Sequence, residues 1–208
     1  MKTIVCYGDS NTWGARPDGQ GRFDLDTRWT GILAKELGAG YRVCEEGLNG
    51  RTTNLEDIIE RDRNGYAYLK PCLESHAPID LITLMLGTND LKDRFHRCAG
   101  DIGQSAATLA DYARNMPVGL DGGHPIVLLM APPVVVEMGD LNSIFEGAIP
   151  KSKRFSAEYG AWATRLDLPF LDTSKVIVSS PVDGIHFDAP EHGKLGKAVA
   201  AKIRELIG

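Results

Sequence analysis

Short apolar runs alternate with amphipathic stretches along this chain. Thr3 to Tyr7, Tyr41 to Glu45, Leu81 to Leu86, Ile126 to Ala131 and Phe170 to Leu171 read as five strands. Between them, apolar residues recur at three- and four-residue spacing, the mark of a helix with one buried face. Trp29, Ile32, Leu33 and Leu37 outline such a helix, stopped by Gly38. Ile102, Leu109 and Tyr112 outline another, with Asp101 as its cap. A third is expected from about Ser152 to Leu166 and a fourth from about Ala189 to Ile207, through Leu195, Val199 and Ile203. Alternating strands and helices imply a parallel sheet covered on both faces, an α/β fold built as a three-layer α/β/α sandwich. No repeat or linker interrupts the pattern, so residues 1–208 are expected to form one domain. Two irregular stretches, Leu91 to Gly100 and Pro132 to Pro150, each follow the carboxyl end of a strand, where open α/β sheets place their ligands. They are expected to wall a pocket.

The turns after the strands carry the polar chemistry. Gly8-Asp9-Ser10-Asn11-Thr12 follows the first strand, Gly47-Leu48-Asn49-Gly50 the second, Gly87-Thr88-Asn89-Asp90 the third and Asp183-Gly184-Ile185-His186 the fifth. With the strand order 2-1-3-4-5, Ser10, Gly50 and Asn89 meet at one crevice, and the last motif reaches it along the rim. These residues satisfy the roles of acyl transfer. Ser10 needs a base to take its proton as it attacks, and His186 is suited to that because an ordinary imidazole titrates near ~6.5. Asp183, three residues earlier on a turn that Gly184 tightens, orients the imidazole. The backbone N–H groups of Ser10 and Gly50 and the amide of Asn89 are candidate oxyanion donors. Asp9 and Asp90 are read as ties for their own turns. Asn11, Trp13, Thr88, Phe145 and Ile185 are expected around the substrate. A Gly-Asp-Ser turn or an Asp-x-x-His pair is commonplace alone; four motifs in order, each after its own strand, are not.

Composition narrows the partners. A formal charge of −5 and a pI near 5.5 offer no basic field for nucleic acid or anionic lipid. No stretch approaches the ~18 apolar residues of a membrane span, and the start reads as a strand rather than a signal peptide, so a cytoplasmic protein is expected. Cys6, Cys44, Cys72 and Cys98 lack the paired spacing of a zinc or redox motif and read as free thiols, those in strands as buried hydrophobes. Neither metal nor cofactor is called for.

The segments YGDSNTWG, RWTGILAKELG, EEGLNGRTTN, LMLGTNDLK and SPVDGIHFD, spread over nearly the whole length, resemble the SGNH, or GDSL-type, hydrolases. Within them the chain is most similar to small bacterial arylesterases that transfer acyl groups to alcohols and to peroxide. The resemblance places the family nucleophile on Ser10, the oxyanion glycine and asparagine on Gly50 and Asn89, and the acid and base on Asp183 and His186. It also implies the SGNH hydrolase fold with flavodoxin-like order 2-1-3-4-5, hydrolysis of short-chain esters with water or an alcohol as acceptor, and a homo-oligomer, a dimer or larger up to an octamer, that narrows the entrance. The chain departs from the pattern at Asn11, where the usual motif has Leu, at Phe187, where many members have Pro, and in a shorter stretch around Pro132 to Pro150.

Three other readings compete. A carbohydrate or polyol acetylesterase would use the same catalytic residues, with Trp13, Phe95, Phe145 and Trp162 as a stacking platform. A two-metal phosphoesterase would use Asp9, Asp90, Asp183, His186 and Asp188 as ligands, but the sequence lacks a dense His/Asp cluster. A ligand-binding module that merely keeps the fold would have no chemical need for the complete set of catalytic types.

Overall fold

The computed structural model describes residues 1–208. Five parallel strands, β1 (Lys2–Gly8), β2 (Tyr41–Gly47), β3 (Leu81–Met85), β4 (Ile126–Ala131) and β5 (Phe170–Asp172), form one sheet in the order β2-β1-β3-β4-β5. The helices are α1 (Ser10–Trp13), α2 (Trp29–Leu37), α3 (Gly65–His76), α4 (Ala99–Arg114), α5 (Ala148–Ser152), α6 (Phe155–Leu166) and α7 (Ala189–Ile207). This is the expected three-layer sandwich.

Side chains alternate across a strand, so each central strand feeds two cores. On β1, Val5 and Tyr7 join the core shared with α3, α4 and α6, while Ile4 and Cys6 join the core under α2 and α7. On β4, Val127, Leu129 and Ala131 face the first core and Leu128 and Met130 the second. Both faces are covered, which is why these strands read as unbroken apolar runs. Leu195, Val199 and Ile203, at four-residue spacing on α7, are fully buried, each contributing roughly 1.5–3 kcal/mol by leaving water.

Three elements differ from the pattern-based expectation. The cap of α4 is Cys98, whose sulfur accepts the Asp101 N–H at 3.4 Å; Asp101 lies inside the first turn. The helix expected from Ser152 breaks there, because the Ser152 hydroxyl turns inward to the Ile149 carbonyl and accepts the Val135 N–H; α5 ends and α6 starts afresh at Phe155. Helix α3 was not expected. It is capped by the Asn64 side chain on Tyr66 and Ala67, and it tolerates Pro71 inside because Leu69, Cys72 and Leu73 anchor it on the sheet.

Candidate active site

The parallel sheet brings the carboxyl ends of all five strands to one rim, and the four polar motifs sit there. Directly after β1, Asp9 caps the single turn of α1: its carboxylate accepts the Asn11 N–H at 3.0 Å. Ser10 is thereby the first residue of a helix, with an N–H that has no intrahelical acceptor. Its hydroxyl lies 2.9 Å from His186 Nε2. On the far side of the ring, His186 Nδ1 lies 2.5 Å from Asp183 Oδ2. The other Asp183 oxygen accepts the backbone N–H groups of Ile185 at 3.0 Å and His186 at 2.9 Å. Burial pushes the Asp183 carboxyl up, but these hydrogen bonds outweigh it and hold the group below the usual carboxylate range. An ionised Asp183 accepts from Nδ1 and leaves Nε2 bare toward the Ser10 hydroxyl.

Gly184 makes this hairpin of side chains possible. Its φ is +76°, and a Cβ there would stand 2.5 Å from the Glu137 carbonyl oxygen. Its own carbonyl accepts the Val136 N–H at 2.9 Å, so the segment after β4 is tied to the turn that carries His186.

The other two turns close on Ser10 from β2 and β3. Gly50 has a φ of +78°, and a Cβ on it would fall 2.5 Å from Glu60 Oε2. No backbone carbonyl takes the Gly50 N–H. Asn89 Nδ2 donates one hydrogen to the Arg51 carbonyl at 3.2 Å, which orients the amide and leaves its second hydrogen for the cleft. Asp90 accepts from the Thr53 N–H at 3.0 Å and from its hydroxyl at 2.5 Å, joining the β3 turn to the β2 loop. Asp9 and Asp90 are thus structural ties, and burial pushes each up to about 6.

A cleft of about 380 Å³ opens over these groups. Ser10, His186, Gly50 and Asn89 line it together with Trp13, Phe145 and Ile185, as expected. Asn11 and Thr88 do not line it. Asn11 is buried behind Ser10, where its Nδ2 donates to the Ile185 carbonyl at 3.3 Å and its own carbonyl accepts the Trp29 indole N–H at 3.1 Å. Thr88 is buried in the β3 turn, where its carbonyl accepts the Leu91 N–H. The four-aromatic platform is absent as well: Trp162 stacks under Arg165 and Phe95 under Arg94, away from the cleft. Lining residues that sequence reasoning missed include Glu60, Lys92, Leu141 and Ile144. The last three fall within the two irregular stretches expected to wall the pocket, whereas Glu60 lies in a loop with no motif to mark it.

The carboxylates of Asp9, Asp90 and Asp188 are spent elsewhere, on Asn11, Thr53 and Ser180, and do not converge with Asp183 and His186 as a two-metal set would. The residues that do bring ligand atoms together are Glu46, Cys72 and His76, all within 4.8 Å, behind the sheet rim. There Glu46 is engaged by His76 Nε2 at 2.7 Å, and burial pushes the Cys72 thiol well up, a poor state for ligation. The four cysteines are free, and no helix is long and apolar enough to cross a membrane.

The GDSL-like Lipase/Acylhydrolase family matches residues 6–192. No curated protein gives a significant match. Among solved structures, the chain is similar to the native aryl esterase of M. smegmatis, with 40% identity, a TM-score of 0.94 and 100% of both chains covered. It is also similar to a carbohydrate acetylesterase from Sinorhizobium meliloti, with 37% identity, a TM-score of 0.95 and 100% of both chains covered. A lipase/acylhydrolase from Enterococcus faecalis, at 17% identity and a TM-score of 0.69 over 99% of this chain and 97% of that one, shares the fold. The chain belongs to the GDSL-like lipase/acylhydrolase family, has the SGNH hydrolase fold and is a carboxylic-ester hydrolase.

Proposed function

We propose that the protein cleaves short-chain carboxylic esters through an acyl-enzyme on Ser10. The observation that carries this is the line of contacts from the Ser10 hydroxyl to His186 at 2.9 Å and from His186 to Asp183 at 2.5 Å. His186 takes the serine proton as Oγ attacks the ester carbonyl, and the tetrahedral oxyanion is met by the N–H groups of Ser10 and Gly50 and by the Asn89 amide. The imidazolium then protonates the departing alcohol. Water or a second alcohol attacks the acyl-serine with His186 again as base, regenerating the hydroxyl. Trp13, Leu141, Ile144, Phe145 and Ile185 give the cleft apolar lining for the acyl or aryl group. No step calls for a metal or cofactor.

Hydrolysis is accompanied in this reading by acyl transfer to an alcohol, because an alcohol is enriched on the apolar lining where it competes with water. A homo-oligomer that narrows the entrance and a cytoplasmic location belong to the same proposal. A second substrate class, acetylated carbohydrates or polyols, is favoured by the charged residues Arg16, Glu60 and Lys92 in the cleft lining and by the likeness to the S. meliloti acetylesterase. A fluorophosphonate probe tests the core of the proposal: it labels the wild-type protein at Ser10, and labelling that persists in a folded Ser10→Ala protein refutes it. Initial rates on aryl acetates, acetylated sugars and a vinyl ester with benzyl alcohol then rank the substrates and acceptors, with sedimentation reporting the assembly.

A further inference from the structure

Part of the cleft lining is built from charges held in one group of four. Lys92 stands three residues beyond Asn89 on the same turn, its N–H donating to the Asn89 carbonyl at 3.3 Å. Its side chain is almost sealed from solvent, at 5% exposure, and its ammonium contacts Glu60 Oε1 at 2.5 Å and Asp57 Oδ2 at 3.5 Å. Arg94 Nη2 bridges the same two acids, at 2.5 Å from Asp57 and 3.0 Å from Glu60. Asp57 is wholly buried and its second oxygen accepts the N–H groups of Ile59 and Glu60. Every charge in this group of four is therefore fixed by at least two partners, and an Arg or Lys so deeply placed would be costly without them.

One carboxylate oxygen in the group is left over. Glu60 Oε1 takes both cations, while no protein group donates to Glu60 Oε2. That free oxygen is the one a Cβ on Gly50 would strike at 2.5 Å, so it sits on the cleft wall directly beside Gly50. A carboxylate there repels an oxyanion unless it is compensated. Lys92 and Arg94 compensate it, which leaves Oε2 as a strong acceptor with little net field. The Glu60 side chain is 43% exposed, so Oε2 is open to whatever occupies the cleft.

We propose that Glu60, held on the wall by Lys92 and Arg94, selects esters that carry a free hydroxyl by accepting a hydrogen bond from it at Oε2. The substrate that fits is amphiphilic: an apolar edge lies against Trp13 and Phe145, and a hydroxyl reaches Glu60. This inference rests on the ester-hydrolase reading above and adds to it the residue that distinguishes a polyol ester from a plain alkyl ester. Lys92 and Arg94 are positioning residues, acting through the carboxylate they hold.

The test compares kcat/KM for glycerol monoacetate with that for propyl acetate, the same ester with both hydroxyls replaced by hydrogen, in the full-length wild-type, Glu60→Leu and Glu60→Gln proteins. A hydrogen bond to a charged acceptor predicts that the ratio of the two values falls about tenfold in Glu60→Leu and less in Glu60→Gln, which keeps a neutral acceptor. Damage to the wall alone lowers both esters together. An unchanged ratio in both variants, or in whichever of them folds, therefore overturns the proposal. If the wild-type protein cleaves neither ester and Ser10 takes no fluorophosphonate, the ester-hydrolase reading itself fails; if Ser10 is labelled and propyl acetate is preferred over the monoacetate, only the role of Glu60 fails.

Discussion

Replacing Asp183 by Asn and by Ala separates two jobs that one carboxylate performs. In the wild-type protein Oδ2 accepts from His186 Nδ1 at 2.5 Å, and Oδ1 accepts two backbone N–H groups at 2.9 and 3.0 Å. In Asp183→Asn the side-chain oxygen still serves the backbone donors, so the turn survives. The amide NH2 then faces Nδ1, however, and the ring must carry its hydrogen on Nε2, pointing it at the Ser10 hydroxyl that needs a base. Turnover is expected to fall by up to ~10⁴, about 5.5 kcal/mol in the barrier, with a thermal midpoint close to wild type. In Asp183→Ala both backbone N–H groups lose their acceptor. The side chain is 15% exposed, so water replaces part of that loss. A net cost of about 1–2 kcal/mol is expected, lowering the midpoint by roughly 2–8 °C for a domain of this size. Yet Ala imposes no wrong tautomer, so its activity should exceed that of the Asn variant. The predicted order is therefore crossed: Asn is the more stable and the less active. Initial rates on p-nitrophenyl acetate at saturation, beside calorimetric scans of the same samples, give both quantities. An Asn variant within tenfold of wild type would mean that some other group orients His186.

Ser10→Ala is expected to abolish ester turnover and fluorophosphonate labelling while circular dichroism stays that of the wild type; near-normal turnover in a folded variant removes Ser10 as the nucleophile. Asn89→Ala is expected to lower kcat by about 10²–10³, as for other oxyanion donors, and a change confined to KM would make Asn89 a binding group instead. Asp90 carries a folded-state pKa raised from 3.8 to about 6 by burial, so it holds its proton more tightly folded than unfolded. Its contribution is complete below about pH 4 and lost as pH rises through about 6, a span of about two pH units worth up to ~3 kcal/mol. In urea unfolding, the stability of wild type relative to Asp90→Asn should decline across that window, and a difference independent of pH would show that burial does not raise the Asp90 pKa.

The fold and the meeting of Ser10, Asp183 and His186 at one rim were legible because they follow from short-range rules. A strand covered on both faces must be apolar throughout, as Ile4 to Tyr7 are, and a helix laid on a sheet must repeat its apolar residues, as Leu195, Val199 and Ile203 do. The turn glycines and their polar neighbours then fall at the strand ends by counting. What escaped depends on contacts between distant loops. Helix α3 has only Gly65, Leu69, Cys72 and Leu73 buried along its length and contains a proline, so its pattern is thin; the sheet underneath supplies what its sequence lacks. Asn11 was expected on the cleft because it adjoins Ser10. One helical turn places consecutive side chains about 100° apart, and the Ile185 carbonyl captured it on the other side. Glu60 could be read only as a charged loop residue, since its place beside Gly50 is set by Lys92 and Arg94, which are more than thirty positions away.

The contact between Ser10 and His186 joins residues 176 positions apart, one just after the first strand and the other just before the last helix. Closing so long a loop is slow relative to forming helices, and the contact has no meaning until β1 has been enclosed between β2 and β3 and α7 has docked beside α2. The Ser10–His186 contact is therefore expected to form late in folding. During refolding from denaturant, recovery of turnover should trail the return of helical signal, and the lag between them measures how long the two ends of the chain take to meet.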